Sequence, residues 1–446
     1  MNFPEPVQNL VVLCLRAGGQ YRRSVSDVAP TSASGIFASL SNRDYTLLWW
    51  SGLLAFLAVG MQILARGWLA IKLTETNSSF ALVLLAFGIG MFTVTPFGGV
   101  AADRFPRRAL ILGSHVSLTL SALWLGIMMV LDLERFWMLL VASVIQGASF
   151  AFMGPARIAM TGEVVERELL SNAISLTQLT VASTQSVGPF VAGLLVDTPG
   201  FGLAGVYMLS AGLTAVATIP VLMLPTSRPE QREAHSPFEE IAEGVAYVAR
   251  QPYLRVVVIS TALMLLVAMP YLAFLPKYTE SVFGVGALWL GVLQGANALG
   301  GTVTALQVAR MRDNALLWRL RVFSLGVVAV GVAVLAITPN HLVALPVLFF
   351  LGGAATTFQT ANMSMSLLLA EPVYHGRVQS LVMIAFSAQS LVAFPLGALA
   401  DQIGLREMHG YMAAATVLVV VWSVIAGRSA RRETEASRAQ AQTAGG

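Results

Sequence analysis

Only 11% of this chain's 446 residues are charged, so a polar side chain inside an apolar run is costly and becomes a candidate for function. Gln62 and Arg66 stand four apart, on one face of a helix. Gln146 and Arg157 share a second apolar run, Gln294 and Asn297 a third, Gln359 and Asn362 a fourth. Amides and guanidinium groups offer hydrogen bonds rather than covalent chemistry, so what they could do is recognise a solute. For each amide, a hydrogen bond that glues two helices together is an equal reading. Arg66 either lines a path or extends along its stem to the membrane surface. Catalysis would need an acid, a base or a nucleophile converging at one depth. The five histidines (His115, His235, His341, His375, His409) are scattered and Cys14 is the single cysteine. That inventory excludes an internal disulfide and a cysteine-based metal cluster, and it indicates no metal, no cofactor and no enzyme.

A second group of residues could move rather than bind. The stretch "GGVAADRFPRR", residues 98–108, packs Asp103, Arg104, Arg107 and Arg108 between two long apolar runs. Gly99 removes a side chain where two helices come close. Asp103 can charge-stabilise a neighbouring helix N-terminus, and the three arginines hold the loop to one side of a membrane. Asp197 and Asp401 end two later runs. They read either as interfacial carboxylates or as an outer gate or proton uptake point. The glycine pairs in "LGGTV" and "LGGAATT" resemble packing sites, since no lysine follows at the spacing of a phosphate-binding loop. Any driving force must then come from an ion gradient or from the solute itself.

The elements that must position these residues follow from composition. The chain is 56% hydrophobic, with a mean hydropathy of +0.73. A soluble domain carries about 25% charged residues, and about 20 apolar residues in a row suffice to cross a bilayer as a helix. Such runs fall at 47–71, 80–101, 109–131, 136–158, 170–195 and 204–224, then at 253–276, 286–309, 317–337, 342–369, 378–400 and 408–427. The expectation is an all-α polytopic membrane protein with twelve transmembrane helices; the alternating ten-residue segments of an outer-membrane barrel are missing. Residues 1–40 read as a disordered cytoplasmic extension, 41–224 as one six-helix half, 225–252 as a cytoplasmic linker, 253–427 as a second half, and 428–446 as a disordered cytoplasmic tail. With the N-terminus inside, all of the 27 Lys and Arg residues fall on the cytoplasmic side except Arg66, Lys72, Arg135, Lys277 and Arg406. The basic balance therefore reports topology in a lipid bilayer and not a nucleic-acid partner. Both termini are expected in the cytoplasm of a cell whose inner (plasma) membrane the chain crosses many times.

The two halves repeat. "STQSVGPFVAGLLVD" (183–197) and "SAQSLVAFPLGALAD" (387–401) share Ser, Gln, Ser, Gly, Leu and Asp in register, 204 residues apart. "QGASFAF" and "GGAATTF" in spans four and ten echo each other more weakly. Pseudo-symmetric halves with a site near midplane are the plan of secondary transporters. Both halves of the site lie in one chain, so a monomer is expected.

"GVAADRFPRR" resembles the loop signature Gly-x-x-x-Asp-Arg-x-Gly-Arg-Arg of the major facilitator superfamily, matching at Gly99, Asp103, Arg104, Arg107 and Arg108 and departing at Pro106. "TQSVGPFVAG" (184–193) is similar to the span-five motif of proton-coupled exporters, matching at Gly188, Pro189 and Gly193. "SNRDYTLLWWSGLLAFLAVGMQ" and "GWLAIKLTETNSS" look like the subgroup of enterobactin exporters and macrolide efflux pumps. The resemblance implies the major facilitator fold, with spans one, four, seven and ten lining a cavity. It implies that Asp103 latches onto the start of span eleven, near Arg377. It implies export of a small-molecule substrate, a drug or a siderophore, against inward proton flow. An importer, a lipid-type flippase and, more remotely, a membrane-embedded enzyme or a sensor are the alternatives. Where the family usually carries a span-four arginine this chain has Ser143, so no proton relay is implied at that position; Arg157 either substitutes or pairs with Glu163 or Asp103 as a gate.

Overall fold

In hydrocarbon every backbone polar group must be satisfied within the crossing segment, so each apolar run folds as a helix. The computed structural model describes residues 37–74, 76, 78–166, 169–226, 237–308, 314–371 and 374–444. Six long helices form the first half: α1 (Arg43–Thr74), α2 (Ser78–Arg104), α3 (Arg107–Val130), α4 (Phe136–Val164), α5 (Leu170–Val196) and α6 (Gly202–Leu222). A short helix, α7 (Pro237–Arg250), leads to the second half. There α8 (Pro252–Val267) and α9 (Tyr271–Lys277) make one broken span, followed by α10 (Ala287–Val308), α11 (Asn314–Ile337), α12 (His341–Leu369), α13 (His375–Ile403) and α14 (Leu405–Ala444). Among the described residues there is no strand. The architecture is the expected one, twelve spanning helices in two six-helix halves. Successive spans are antiparallel, so Arg43, α7 and the end of α14 share one face, here the proximal face. Thr74, Asp197 and Asp401 lie at the opposite, distal face.

Eleven segments are long and apolar enough to span on their own. The twelfth span is α10, whose 22 residues are diluted by Gln294, Asn297 and the glycines around them. Those glycines serve packing. A Cβ at Gly300 would collide with the Phe349 carbonyl and one at Gly352 with the Asn297 carbonyl, so α10 and α12 cross backbone to backbone. Gly90 and Gly147 do the same for α2 and α4.

Three expectations change. Span seven breaks at a turn over 268–270 and continues through a π-helical turn, Tyr278–Val282. Pro270 begins the restart and Pro276 lies inside α9, and each removes a backbone donor from the helix ladder. The polar stretch after Gly427 is helical to Ala444 rather than irregular, because "RSARRETEASRAQAQTA" is rich in strong helix formers. Residues 1–36 lie outside the described residues, whereas Ala38–Ser41 form a 3-10 turn anchored by Ser39 N–H to Asn172 Oδ1 (3.0 Å).

Candidate substrate path and gates

The helical spacing of Gln62 and Arg66 turns both toward α4. Gln146 Nε2 makes a long contact of 3.5 Å with Gln62 Oε1. The Arg66 Nη1 donates to Ser143 Oγ (3.3 Å) and its Nε to the Gln62 carbonyl (3.2 Å). Arg66 is only 5% exposed, so its head turns into the half instead of reaching for the surface. The guanidinium thus stands against the very position, Ser143, where the sequence lacks a span-four arginine. Arg157 lies nearer the proximal face, where Nη2 donates to the Leu48 carbonyl (2.7 Å) and Nη1 to Ser51 Oγ (3.3 Å). It does not pair with Glu163. That carboxylate pairs with Arg107, which the helix start at α3 places directly beside it.

In the second half the amides divide. Asn297 is helix glue: its Nδ2 donates to Tyr271 Oη (2.6 Å) and to the Leu348 carbonyl (3.1 Å), tying α10 to α9 and α12. Gln294 Oε1 and both amide atoms of Asn362 have no hydrogen-bond partner among the described residues, and neither does Gln62 Nε2. Asn362 is 2% exposed. Buried amides left unpaired are costly, which fits groups reserved for a solute. Gln359 is half-buried on α12.

Sequence reasoning missed Arg321, because it sits only two turns into α11 and reads there as a surface arginine. It is fully buried. Its Nη1 donates to Ser260 Oγ (2.7 Å), its Nη2 to Ser423 Oγ (3.0 Å), and its guanidinium stacks 4.3 Å from the Trp318 ring. The two serines, each on another span, are the signal: small hydroxyls facing one buried donor.

At the proximal face, Arg108 Nη1 donates to the Leu224 carbonyl (2.8 Å) and Arg107 Nη1 to that of Ala159 (3.3 Å). Both arginines therefore tie the α2–α3 loop to its own half. Gly99, Asp103 and Arg104 lie in α2, and their side chains fall outside the described residues. Arg377 Nη2 pairs with Glu243 of α7 at 2.8 Å. Nearby, Tyr247 of α7 stacks on Tyr374 at 3.9 Å and its Oη accepts the Glu371 N–H (3.0 Å).

The span-five residues pack α5 on two helices at once. A Cβ at Gly188 would stand 2.8 Å from Gly60 Cα of α1, one at Gly291 of α10 2.6 Å from the Pro189 carbonyl, and one at Gly193 2.6 Å from the Ala287 carbonyl. The two halves therefore meet along α5 and α10, and along α2 and α13. Three further contacts join them at the distal face. Asp197 Oδ2 accepts the Leu288 N–H (2.8 Å), Asp401 Oδ2 accepts the Ser78 N–H (3.2 Å), and Gly67 packs against Pro276.

Comparison with known proteins agrees with this geometry. The profile of a family described as transmembrane secretion effector matches residues 34–444. The chain is 26% identical over 268 residues to the enterobactin exporter of Shigella flexneri, a match covering 58% of this chain and 63% of that protein. The enterobactin exporter of Shigella boydii serotype 18 matches at 26% over the same shares. The chain thus spans 63% of the length of these curated relatives. Among solved structures, a POT family transporter in complex with 5-aminolevulinic acid superposes with a TM-score of 0.70 at 11% identity, over 87% of this chain and 97% of that one. A bacterial homolog of the human lysosomal transporter Spinster, inward-facing and occupied, gives 0.69 at 13% identity over the same shares. At such identities the likeness is one of fold.

Proposed function

We infer that this chain, which belongs to the transmembrane secretion effector family of the major facilitator superfamily, exports a small organic compound across the inner membrane. Transport by a multi-pass membrane protein is the family's trade; direction, driving force and cargo class are our reading. The observation that carries it is the closed distal face, where helices of opposite halves cap and pack against each other. A solute held between the halves reaches the distal side only when those contacts part, and the halves of such a chain part by rocking about the central site. The arginine-rich loops support reading the proximal face as cytoplasmic, and on that reading the distal face opens outward. Support for export of a drug- or siderophore-class compound comes from the enterobactin exporters of the two Shigella species. Gln62, Gln294 and Asn362 offer unpaired amide atoms for its polar groups. Inward proton flow is the proposed driving force, and one chain suffices.

The test is efflux from cells making the protein, using macrolides, phenicols, catechol siderophores and cationic dyes, with and without a protonophore. The reading expects retention of one class to fall in producing cells and to recover with the protonophore or with Asp103→Asn. Accumulation unchanged across the whole panel would reject export of these classes.

A further inference from the structure

The two distal carboxylates are placed against their own helices. Asp197 follows the last residue of α5, and Asp401 lies in the last turn of α13. A negative charge at a helix C-terminus is unfavourable, because the carbonyl ends already carry partial negative charge. Each is compensated from the other half. Leu288 is the second residue of α10 and Ser78 the first of α2. Both therefore bring N–H groups that have no acceptor within their own helix. Asp197 and Asp401 accept those two hydrogens at 2.8 and 3.2 Å.

One turn before each carboxylate is a glycine that makes the approach possible. A Cβ at Gly193 would stand 2.6 Å from the Ala287 carbonyl, and one at Gly397 would stand 2.8 Å from Ser78 Cα. The spelling is the same in both halves, "GLLVD" and "GALAD", at the repeat distance of 204 residues. The device is therefore two-fold: a glycine admits the opposing helix start and an aspartate caps it, once from each half. The same glycine-to-aspartate spacing recurs once at the proximal end of α2, Gly99 to Asp103, but its counterpart in the repeat reads Val303 to Gln307. The chain carries two such ends at the distal face and one at the proximal face.

We propose that Asp197 and Asp401, with Gly193 and Gly397, are a symmetric pair of latches that hold the distal face shut and bias the chain toward its distally closed state. This rests on the reading that the halves rock. On opening, each carboxylate loses a charge-assisted hydrogen bond and is left at the negative end of its own helix, so both effects favour closure. The latches act on one rigid-body equilibrium from separate helix pairs, so their contributions add.

The test measures distances in the purified full chain in lipid nanodiscs and needs no cargo. In a Cys14→Ser background, spin labels at Leu133 and Pro339 report the distal rim, and labels at Phe105 and Leu316 the proximal rim. Asp197→Ala and Asp401→Ala are each expected to lower the closed-to-open ratio at the distal rim by about three- to tenfold. The double variant is expected to multiply the two effects, and the Asn variants to fall between, since an amide oxygen still caps. The proximal distance must shorten as the distal one lengthens, which a merely loosened fold would not do. A wild-type rim that samples both distances in proportions unchanged by the double Ala variant overturns the latch. A single distance in the wild type, kept also in Gly193→Leu and Gly397→Leu, overturns the rocking reading and the latch with it.

Discussion

Three buried arginines, Arg66, Arg157 and Arg321, define what single residues do here. An arginine at a helix centre costs about 2.5–3.5 kcal/mol to insert, and among the described residues none of the three forms a salt bridge. Serine hydroxyls and carbonyls take their hydrogens instead. Arg321 joins three spans, so Arg321→Ala should lower thermal stability by about 2–4 kcal/mol, and Ser260→Ala or Ser423→Ala by about 1 kcal/mol each. Melting in detergent, followed by tryptophan fluorescence, reads these differences. A second prediction concerns Arg66, which shares one small site with Ser143. Ser143→Arg should impair folding and efflux, because two like charges then meet at about 4 Å in a low dielectric. Adding Arg66→Ser should restore much of the lost melting temperature; no recovery would show that the two positions do not share a site. Sequence alone showed that Arg66 and Arg157 were costly, but not where their heads point. Arg66 could equally have reached the surface, and Glu163 could equally have paired with Arg157, because either choice depends on which helix stands opposite.

At the scale of elements, most of the fold was legible, for the physical reason that a bilayer leaves few options. Twenty apolar residues become a helix, and short connections make successive helices antiparallel. What escaped were features decided by packing or by single prolines. The break in span seven follows from Pro270 and Pro276. The amphipathic helix α7 hides in a stretch that reads only as polar linker. It docks through the Glu243–Arg377 pair and the Tyr247–Tyr374 stack. Tyr247→Ala should therefore raise amide hydrogen exchange across 237–250 by about tenfold while leaving α8 protected. Exchange unchanged there would mean that other contacts hold α7. The α1–α5 crossing is tighter, since a Cβ at Gly60 would stand 2.7 Å from the Thr184 carbonyl. Gly60→Val should cost about 1–3 kcal/mol through overpacking, visible as a lower melting temperature, whereas the same change at Gly113, which faces open space, should not.

For the whole molecule, the sequence repeat at 183–197 and 387–401 falls on the two helices that meet the opposite half. Its shared spacing places two glycine–aspartate ends where opposite halves meet, and on the latch proposal α5 and α13 govern opening. The amides with unpaired atoms come from both halves, Gln62 from one and Gln294, Asn362 and Gln389 from the other, the arrangement our transport reading expects of a site between rocking bodies. We propose that this chain uses an inward proton gradient to move an organic solute out through the distal face. The most direct test is uptake of a labelled catechol siderophore into inside-out membrane vesicles holding the protein, with a proton gradient imposed acid inside. Accumulation is expected to scale with the gradient, collapse with a protonophore and fall in the Asp103→Asn variant. Accumulation equal with and without the gradient, in vesicles shown to bind the solute, would contradict proton-driven export.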